Sequence, residues 1–173
     1  MKKIRLVLPL ALLPIAALAA CSSTAAADDV ERREIRELVD RNQISALVDR
    51  LGRTLDDGTF EDFREIYTAD ASATTPGGTA QGVAAMIAQA GRSHSADKKI
   101  QHFISNVIVD LRGDAAAVRA NLLATFAPVV EGTLTEPKYT LGEIYQFDAV
   151  RTAEGWRLSR VQSTPQWAIG TRF

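Results

Sequence analysis

The sequence has little of several residue types that specialised sites require. Its 173 residues include a single cysteine and two histidines. One cysteine cannot form an internal disulfide, which excludes a disulfide-stapled fold, and a zinc site built on several thiolates is excluded for the same reason. Two histidines leave little room for a histidine-rich metal site. The formal net charge is −1, so the chain has no excess of the basic residues that neutralise phosphates. This argues against a nucleic-acid-binding domain.

The first twenty residues have the pattern of a secretory signal peptide. Lys2, Lys3 and Arg5 precede an apolar run over residues 6–20, which is short for a membrane span but suits the core of a signal peptide. The run ends in a Leu-Ala-Ala-Cys motif at Cys21, which resembles a bacterial lipobox. That resemblance implies that Cys21 is acylated and becomes the mature N-terminus. The competing interpretation is an ordinary cleaved signal followed by a chance cysteine.

These features predict a chain in three parts. Residues 1–20 form the lipoprotein signal peptide, residues 21–29 a flexible tether of small residues without apolar periodicity, and residues 30–173 a single folded domain. Ser22 after Cys21 resembles the signal for outer-membrane delivery in Gram-negative bacteria. We therefore expect a protein of the cell envelope, held by its lipid anchor on the outer membrane and facing the periplasm.

The folded part begins with helical patterns. Apolar residues recur at helical spacing from Val30 to about Leu55, which predicts a long helix over this range. Gly58 is expected to end this helix. The residues on its apolar face are Ile44, Leu47, Val48, Leu51 and Leu55, with Ile35 and Leu38 continuing the stripe upstream. Short helices are predicted after Thr59 and over residues 82–90, with Tyr67 on the buried face of the first. A short strand at residues 71–75 and a glycine-containing loop at residues 76–78 lie between them.

The apolar period then changes to two, which is typical of strands. Long strands are predicted over residues 99–111, 115–130, 139–151 and 156–164. Helices followed by an antiparallel meander indicate an α+β fold with the helices packed on one face of the sheet. The first long strand carries apolar residues on both faces. Since only one face can cover the helices, we expect two copies to pair through the outer face.

The order of several short motifs resembles the SnoaL-like branch of the nuclear transport factor two-like superfamily. The matching residues include Leu55-Asp56-Asp57-Gly58, Tyr67-Thr68-Ala69-Asp70, Gln101-His102-Phe103 and Gly155-Trp156-Arg157-Leu158. The resemblance implies a cone-shaped roll, with the N-terminal helices in the concave face of a curved, mainly antiparallel sheet and a pocket at the open end. Relatives include scytalone dehydratase, limonene epoxide hydrolase and polyketide cyclases, but others only bind, so the fold leaves the function open.

Asp56 and His102 are the candidate catalytic pair. The resemblance to scytalone dehydratase implies that they orient each other in the pocket. A carboxylate beside an imidazole fixes its tautomer and is expected to raise the pKa of His102, and proton transfer by this pair requires no metal or cofactor. Asp56 could instead be a turn carboxylate, and His102 a core histidine bonded to backbone. Leu55 stands where the dehydratase has a tyrosine, and His94 is expected in a solvated loop.

The pocket wall is predicted to contain one amide and three aromatic residues. Asn106 lies on the same strand face as His102 by simple alternation. Tyr67 and Tyr145 are aromatic candidates, although each could equally belong to the core. Trp167 is favoured because it follows the last predicted strand, where the C-terminal tail could fold over the pocket mouth.

Two functions from different classes remain open at this level. The first is a cofactor-free lyase, isomerase or cyclase that acts on a small apolar molecule through Asp56 and His102. The second is a non-catalytic lipoprotein of the same fold that binds a ligand or a partner. A hydrogen bond between the carboxylate and the imidazole, with both groups opening into a cavity of about 300 Å³ or more, would favour the enzyme.

Overall fold

The computed structural model describes the backbone of residues 16–173 and the side chains of residues 27–173. Most of the predicted signal peptide and the side chain of Cys21 lie outside the described residues. The chain divides into two compact units, Met1–Glu37 and Leu38–Phe173. The second unit contains every strand and every residue of the candidate site.

The long helix α1 spans Ala16–Asp57, so it begins well before Val30, where the apolar pattern predicted its start. The predicted tether of residues 21–29 falls within this helical range, and its flexibility in solution stays a prediction. Within the described residues, no helix combines the length and the apolar character that a bilayer crossing requires.

The last part of α1 is fixed by burial of its apolar stripe. The five predicted core residues, Ile44, Leu47, Val48, Leu51 and Leu55, are all buried, which confirms this part of the helical pattern. Ile35 and Leu38 are exposed instead, so the buried part of the stripe begins at Ile44. The helix stops at Gly58, which has a φ of +71°. The amide of Thr59 donates to the carbonyl of Thr54 at 3.2 Å, the 6→1 bond of a Schellman motif.

The rest of the second unit is a six-stranded sheet with short helices. A 3₁₀ turn at Phe60–Asp62 leads into α2 at Phe63–Ile66, and α3 spans Val83–Ser93. The strands are β1 Tyr67–Thr75, β2 Gly78–Gln81, β3 Lys98–Arg112, β4 Ala115–Pro128, β5 Tyr139–Thr152 and β6 Gly155–Gly170. Their order in the sheet is β2-β1-β6-β5-β4-β3, with β1 and β6 parallel and the other pairs antiparallel. Helices packed against a curved, open, mixed sheet confirm the predicted α+β class.

Several boundaries within the sheet differ from the sequence prediction. Tyr67 begins β1 rather than lying in a helix. Residues 78–81 form β2, a hairpin partner of β1, where the expected loop ended at Gly78 and no strand was predicted. The Pro76-Gly77 turn joins the two strands, so the glycine-containing loop is the hairpin turn. Strand β6 continues to Gly170, because its last residues pair with the beginning of β5.

A bulge in β3 changes which of its side chains face the helices. The pairing of β3 with β4 shifts register between Ser105 and Ile108, and Asn106 has a φ of +53°. The extra residue reverses the alternation. The half-buried inner side chains are therefore Ile100, His102 and Ile104 before the bulge, and Val107, Val109 and Leu111 after it.

The outer face of the sheet carries an exposed apolar row. Phe103, Leu123, Gly142 and Trp167 are register partners across four strands, and the side chains of Phe103 and Trp167 are each about half exposed. Pairing of two copies through this face stays a prediction. We expect the domain to sediment as a dimer at tens of micromolar and Phe103→Asp to sediment as a monomer, since a charge would have to be buried in the interface.

The matched control is Leu134→Asp. Leu134 is fully exposed in the connection between β4 and β5, so this change adds the same charge away from the outer face. A wild-type domain that is monomeric at these concentrations, or an equal effect of both substitutions, would contradict pairing through this face.

Candidate functional site

A cavity of about 140 Å³ lies between the helices and the inner face of the sheet. Its apolar wall includes Leu51, Leu55, Phe63, Met86, Ala124, Phe126 and Val161. The volume is smaller than the 300 Å³ or more set out above for an enzyme pocket. It is close to that of an engineered apolar cavity of about 150 Å³ that binds benzene. The space therefore suits a molecule with about one six-membered ring.

Asp56 and His102 are in direct contact at the edge of this cavity. Asp56 Oδ1 accepts a hydrogen bond from the backbone amide of His102 at 2.8 Å and lies 2.7 Å from its ring Nδ1. The His102 side chain is 6% exposed and that of Asp56 28% exposed. The ring of His102 thus bonds to a carboxylate, not to backbone, and Asp56 does more than close a turn.

This contact determines the tautomer of His102. A carboxylate can only accept, so Nδ1 carries the hydrogen that it donates to Asp56. The other nitrogen, Nε2, makes no hydrogen bond to the described part of the chain, and the residue lines the cavity. A neutral His102 therefore has an available lone pair on Nε2 for a proton or a ligand donor.

The pKa of His102 is lowered from its ordinary value of 6.5, mainly because burial penalises the imidazolium, while the hydrogen bond and the charge of Asp56 oppose this effect. Burial of the ring therefore outweighs the rise in the His102 pKa that pairing with Asp56 was expected to give. The sequence identified the carboxylate partner but not the extent to which the ring is buried. At neutral pH the lowered pKa leaves the imidazole of His102 uncharged.

His94, expected in a solvated loop, lies in the wall of the cavity. It caps α3, and its Nδ1 donates to the carbonyl of Ala90 at 3.0 Å. Its ring stacks on that of His102, with centroids 5.5 Å apart, and its Nε2 is buried without a hydrogen-bond partner. Burial, together with His102, lowers the pKa of His94. Sequence reasoning missed this residue because the end of α3 was placed three residues too early.

Tyr67 and Tyr145 line the cavity, and both are buried. Burial raises the pKa of each phenol well above 10, so both hydroxyls keep their protons. Asn106 and Trp167 lie elsewhere. The β3 bulge leaves Asn106 exposed on an irregular segment. Trp167 lies in β6 and pairs with Gly142 of β5. Its indole covers the Cα of Gly142 on the face of the sheet opposite to Glu143.

Glu143 and Ser163 are among the polar residues of the wall that were not predicted as site residues. Glu143 interrupts the apolar face of β5, which was the available signal, but alternation alone left its direction open. It is buried and lines the cavity, and the hydroxyl of Ser163 donates to its Oε1. Within residues 27–173, no three His, Cys, Asp or Glu side chains are grouped so that they could hold a metal ion.

The first prediction from this geometry concerns the pKa of His102. We expect NMR titration to give a value below 6.5 in the wild type and a still lower value in Asp56→Asn, because the amide removes the charge that opposes burial. Asp57→Asn is the control, since its side chain is exposed on the adjacent residue, and it should leave the value unchanged. A wild-type pKa above 6.5, or one insensitive to Asp56→Asn, would contradict the coupling.

The same shift predicts how stability depends on pH. Between the lowered folded-state pKa of His102 and 6.5, the unfolded chain binds more protons than the folded chain, so the contribution of His102 to the unfolding free energy falls as pH decreases through this window. Urea unfolding of the wild type and His102→Gln isolates this contribution. The stability of the wild type relative to the variant should decrease from pH 7.5 to pH 5; a constant or increasing difference would contradict burial of the neutral ring.

Sequence and structure comparisons identify the proteins that this chain resembles. The family described as SnoaL-like domain matches residues 36–162. No curated protein matches the sequence significantly. Among solved structures, the Kfla4162 protein of Kribbella flavida is 25% identical with a TM-score of 0.68, and the match covers 77% of this chain and 95% of that one.

Two similar structures have names that describe elimination chemistry. A protein assigned as a scytalone dehydratase from Novosphingobium aromaticivorans is 18% identical, with a TM-score of 0.68 and 79% and 91% of the two chains covered. A hexachlorocyclohexane dehydrochlorinase, LinA type 2, is also 18% identical, with a TM-score of 0.70 and coverage of 80% and 93%. At this level of identity the likeness extends to the fold alone.

Proposed function

The chain belongs to the SnoaL-like domain family, and we propose that it is an envelope-anchored member that performs cofactor-free acid/base chemistry on a small apolar molecule. The reaction class is a lyase, isomerase or cyclase step through Asp56 and His102. The observation that carries this proposal is the 2.7 Å contact between Asp56 Oδ1 and His102 Nδ1 at the wall of an apolar cavity.

The proposed roles follow from the hydrogen-bonding capacity of each group. Asp56 holds the ring and its Nδ1 proton, and it stabilises the imidazolium that forms when Nε2 accepts a proton from carbon. In an elimination, the electron pair of the broken C–H bond forms the double bond while the leaving group departs from the adjacent carbon. The dehydratase and dehydrochlorinase names among the similar structures describe reactions of this kind, which supports the lyase class first.

One observation favours the non-catalytic alternative. The cavity of about 140 Å³ is below the size expected of an enzyme pocket, and a small apolar cavity can bind a ligand without reacting with it. In this alternative the contact between Asp56 and His102 would anchor the end of α1 to β3, and the protein would be a ligand- or partner-binding lipoprotein.

Binding and proton exchange separate the two proposals. Monocyclic ketones, alcohols and chlorinated rings are first screened against residues 30–173 by thermal shift, because a ligand that binds the native state raises its stability. Each binder is then incubated in D₂O, and deuterium incorporation at carbon is followed by NMR. We expect Asp56→Asn and His102→Gln to lower the exchange rate by about 10²-fold or more, the range for a positioned general base.

Asp57→Asn serves as the matched control and should exchange at the wild-type rate. Binding without wild-type exchange, or exchange that survives both site substitutions, would contradict the proposed catalysis and leave the binding function. Loss of exchange in the Asp57 variant would indicate a general loss of the fold at the end of α1.

The proposed anchor has its own test in the full-length chain. Expressed in a Gram-negative host, the wild type should carry acyl chains and enter the detergent phase, because stable anchoring takes more than one chain. Cys21→Ser should leave the protein unacylated and in the aqueous phase, with Ser23→Ala as the control that keeps the lipobox. Ser22→Asp should stay acylated but move from the outer to the inner membrane fraction. Unchanged partitioning of Cys21→Ser would contradict the anchor.

A further inference from the structure

One side of the cavity is polar and has no part in the proposed mechanism. The turn between β1 and β2, the end of α3 and the C-terminal tail meet there and contribute Thr75, Gln89, Ser93 and Arg172 to the lining. These four residues form a polar rim beside the apolar wall. Their side chains carry two hydroxyls, an amide and a guanidinium, so the rim can bind a polar group of a ligand whose ring lies against the apolar wall.

The hydroxyl group of Thr75 has a hydrogen left for a ligand. Its oxygen accepts from the backbone amide of Gly77 at 3.1 Å and from the side-chain amide of Gln89 at 3.4 Å. The same nitrogen of Gln89 donates to the carbonyl of Gly78 at 2.8 Å, and because a carbonyl only accepts, this contact fixes which end of the amide faces Thr75. Both lone pairs of the hydroxyl are therefore occupied, and its hydrogen has no acceptor within residues 27–173.

Arg172 adds a guanidinium to the same rim. Its side chain lines the cavity and forms no ion pair or hydrogen bond within residues 27–173. A guanidinium is a donor with a permanent positive charge. Because the residue is exposed, water solvates this charge and the group can stay unpaired at little cost. The rim thus has a second donor, and this one is charged.

The tail that carries Arg172 is held on both sides of this residue. Gly170 has a φ of +82°, and a Cβ there would lie 2.0 Å from the carbonyl oxygen of Lys138, so the turn after β6 requires glycine. The next backbone amide donates to the same carbonyl at 3.0 Å. On the other side, the ring of Phe173 lies under Nζ of Lys98, 5.9 Å from the ring centroid. These contacts keep the backbone of Arg172 beside the cavity.

Ser93 connects the two donors in space. A Cβ on Gly77 would lie 3.1 Å from Oγ of Ser93 and 3.4 Å from Oγ1 of Thr75, so both hydroxyls flank the same turn. Ser93 and Arg172 also line a second, small space of about 20 Å³. The hydroxyl of Ser93 itself donates to the carbonyl of Gln89 at 3.1 Å. Thr75 and Arg172 therefore supply the available donors of the rim, one from each side of Ser93.

We propose that Arg172 and Thr75 together bind a carboxylate, and that the substrate is a monocyclic carboxylic acid. A carboxylate only accepts, and its two oxygens can receive the hydroxyl of Thr75 and the planar fork of Arg172 at the same time. The ring then occupies the apolar space of about 140 Å³. Three strands separate β1, which carries Thr75, from β3, which carries His102, so a ring held at the rim presents its other side to the imidazole.

This inference rests on the proposed function and specifies its substrate class. Arg172 and Thr75 are binding residues that select the substrate by its charge, and Asp56 and His102 keep the roles described above. Because the rim is open to water, the carboxylate stays partly hydrated there, which costs less than placing it against the apolar wall.

The test compares probes that share a ring and differ in the head group. Benzoate carries the carboxylate, benzamide is a neutral analogue of nearly the same shape, and benzenesulfonate carries the same charge on a tetrahedral group. The purified full-length protein is titrated with each probe by NMR, as are Arg172→Gln, Arg172→Lys and Thr75→Val. Arg92→Gln is the matched control, since Arg92 is exposed in the last turn of α3 but does not line the cavity.

We expect the wild type to bind benzoate about fivefold more tightly than benzamide, the upper range for an exposed ion pair, and benzoate to shift the Nε–H resonance of Arg172. Arg172→Gln should abolish the preference and leave benzamide binding unchanged, which also shows that this variant is folded. Arg172→Lys should keep part of the preference, because it retains the charge without the fork. Thr75→Val should reduce it, and Arg92→Gln should not. Raising the salt concentration to about 1 M should weaken it.

Three results would overturn the inference: equal wild-type affinity for benzoate and benzamide, a preference that survives Arg172→Gln, or an equal loss in Arg92→Gln. Benzenesulfonate bound as tightly as benzoate would overturn the assignment of a carboxylate.

The proposed reaction can fail separately from this site. Deuterium exchange that depends on Asp56 and His102, found together with equal affinities for benzoate and benzamide, would reject the role of Arg172 and Thr75 alone. A benzoate preference that depends on Arg172, found without exchange in any ring acid that binds, would support the carboxylate site and reject the proposed catalysis.

Discussion

One carboxylate oxygen connects the end of the long helix to the wall of the sheet. Oδ1 of Asp56 accepts from both the backbone amide and the ring of His102, so the position of β3 and the orientation of the imidazole are set by the same atom. The helix can present that atom because its last turns are buried through Leu51 and Leu55 and because it ends sharply at Gly58. If α1 ended a turn earlier, the imidazole would lose the partner that fixes its tautomer.

The electrostatics of the cavity follow from burial more than from pairing. Burial lowers the pKa values of His94 and His102 and raises those of Glu143 and Tyr145. Each of these shifts favours the uncharged form of its group.

The sequence predicted the features that depend on a regular period. The apolar spacing of α1 identified five buried residues, and the motifs around Asp56 and His102 paired the helix end with the right strand. The sequence did not predict the direction of side chains where the regular alternation of a strand is interrupted. The bulge at Asn106 moves the following side chains of β3 to the other face, and pairing with β5 carries β6 past Trp167 with its indole on the outer face. Alternation along a single strand does not encode these shifts, because they arise from the register with the neighbouring strand.

Two carboxylates of α1 show how the partner decides what such a contact can do. Asp40 binds Trp156 through one oxygen at 3.0 Å and Arg151 through the other at 2.5 Å, and the arginine lowers the pKa of Asp40. Asp56 lies about 24 Å further along the helix and binds a histidine instead. Arginine stays charged at any physiological pH, so the contact at Asp40 is permanent and serves the fold. Histidine can gain and lose a proton in that range, and His102 lines the cavity, so of these two contacts the one at Asp56 is suited to proton transfer.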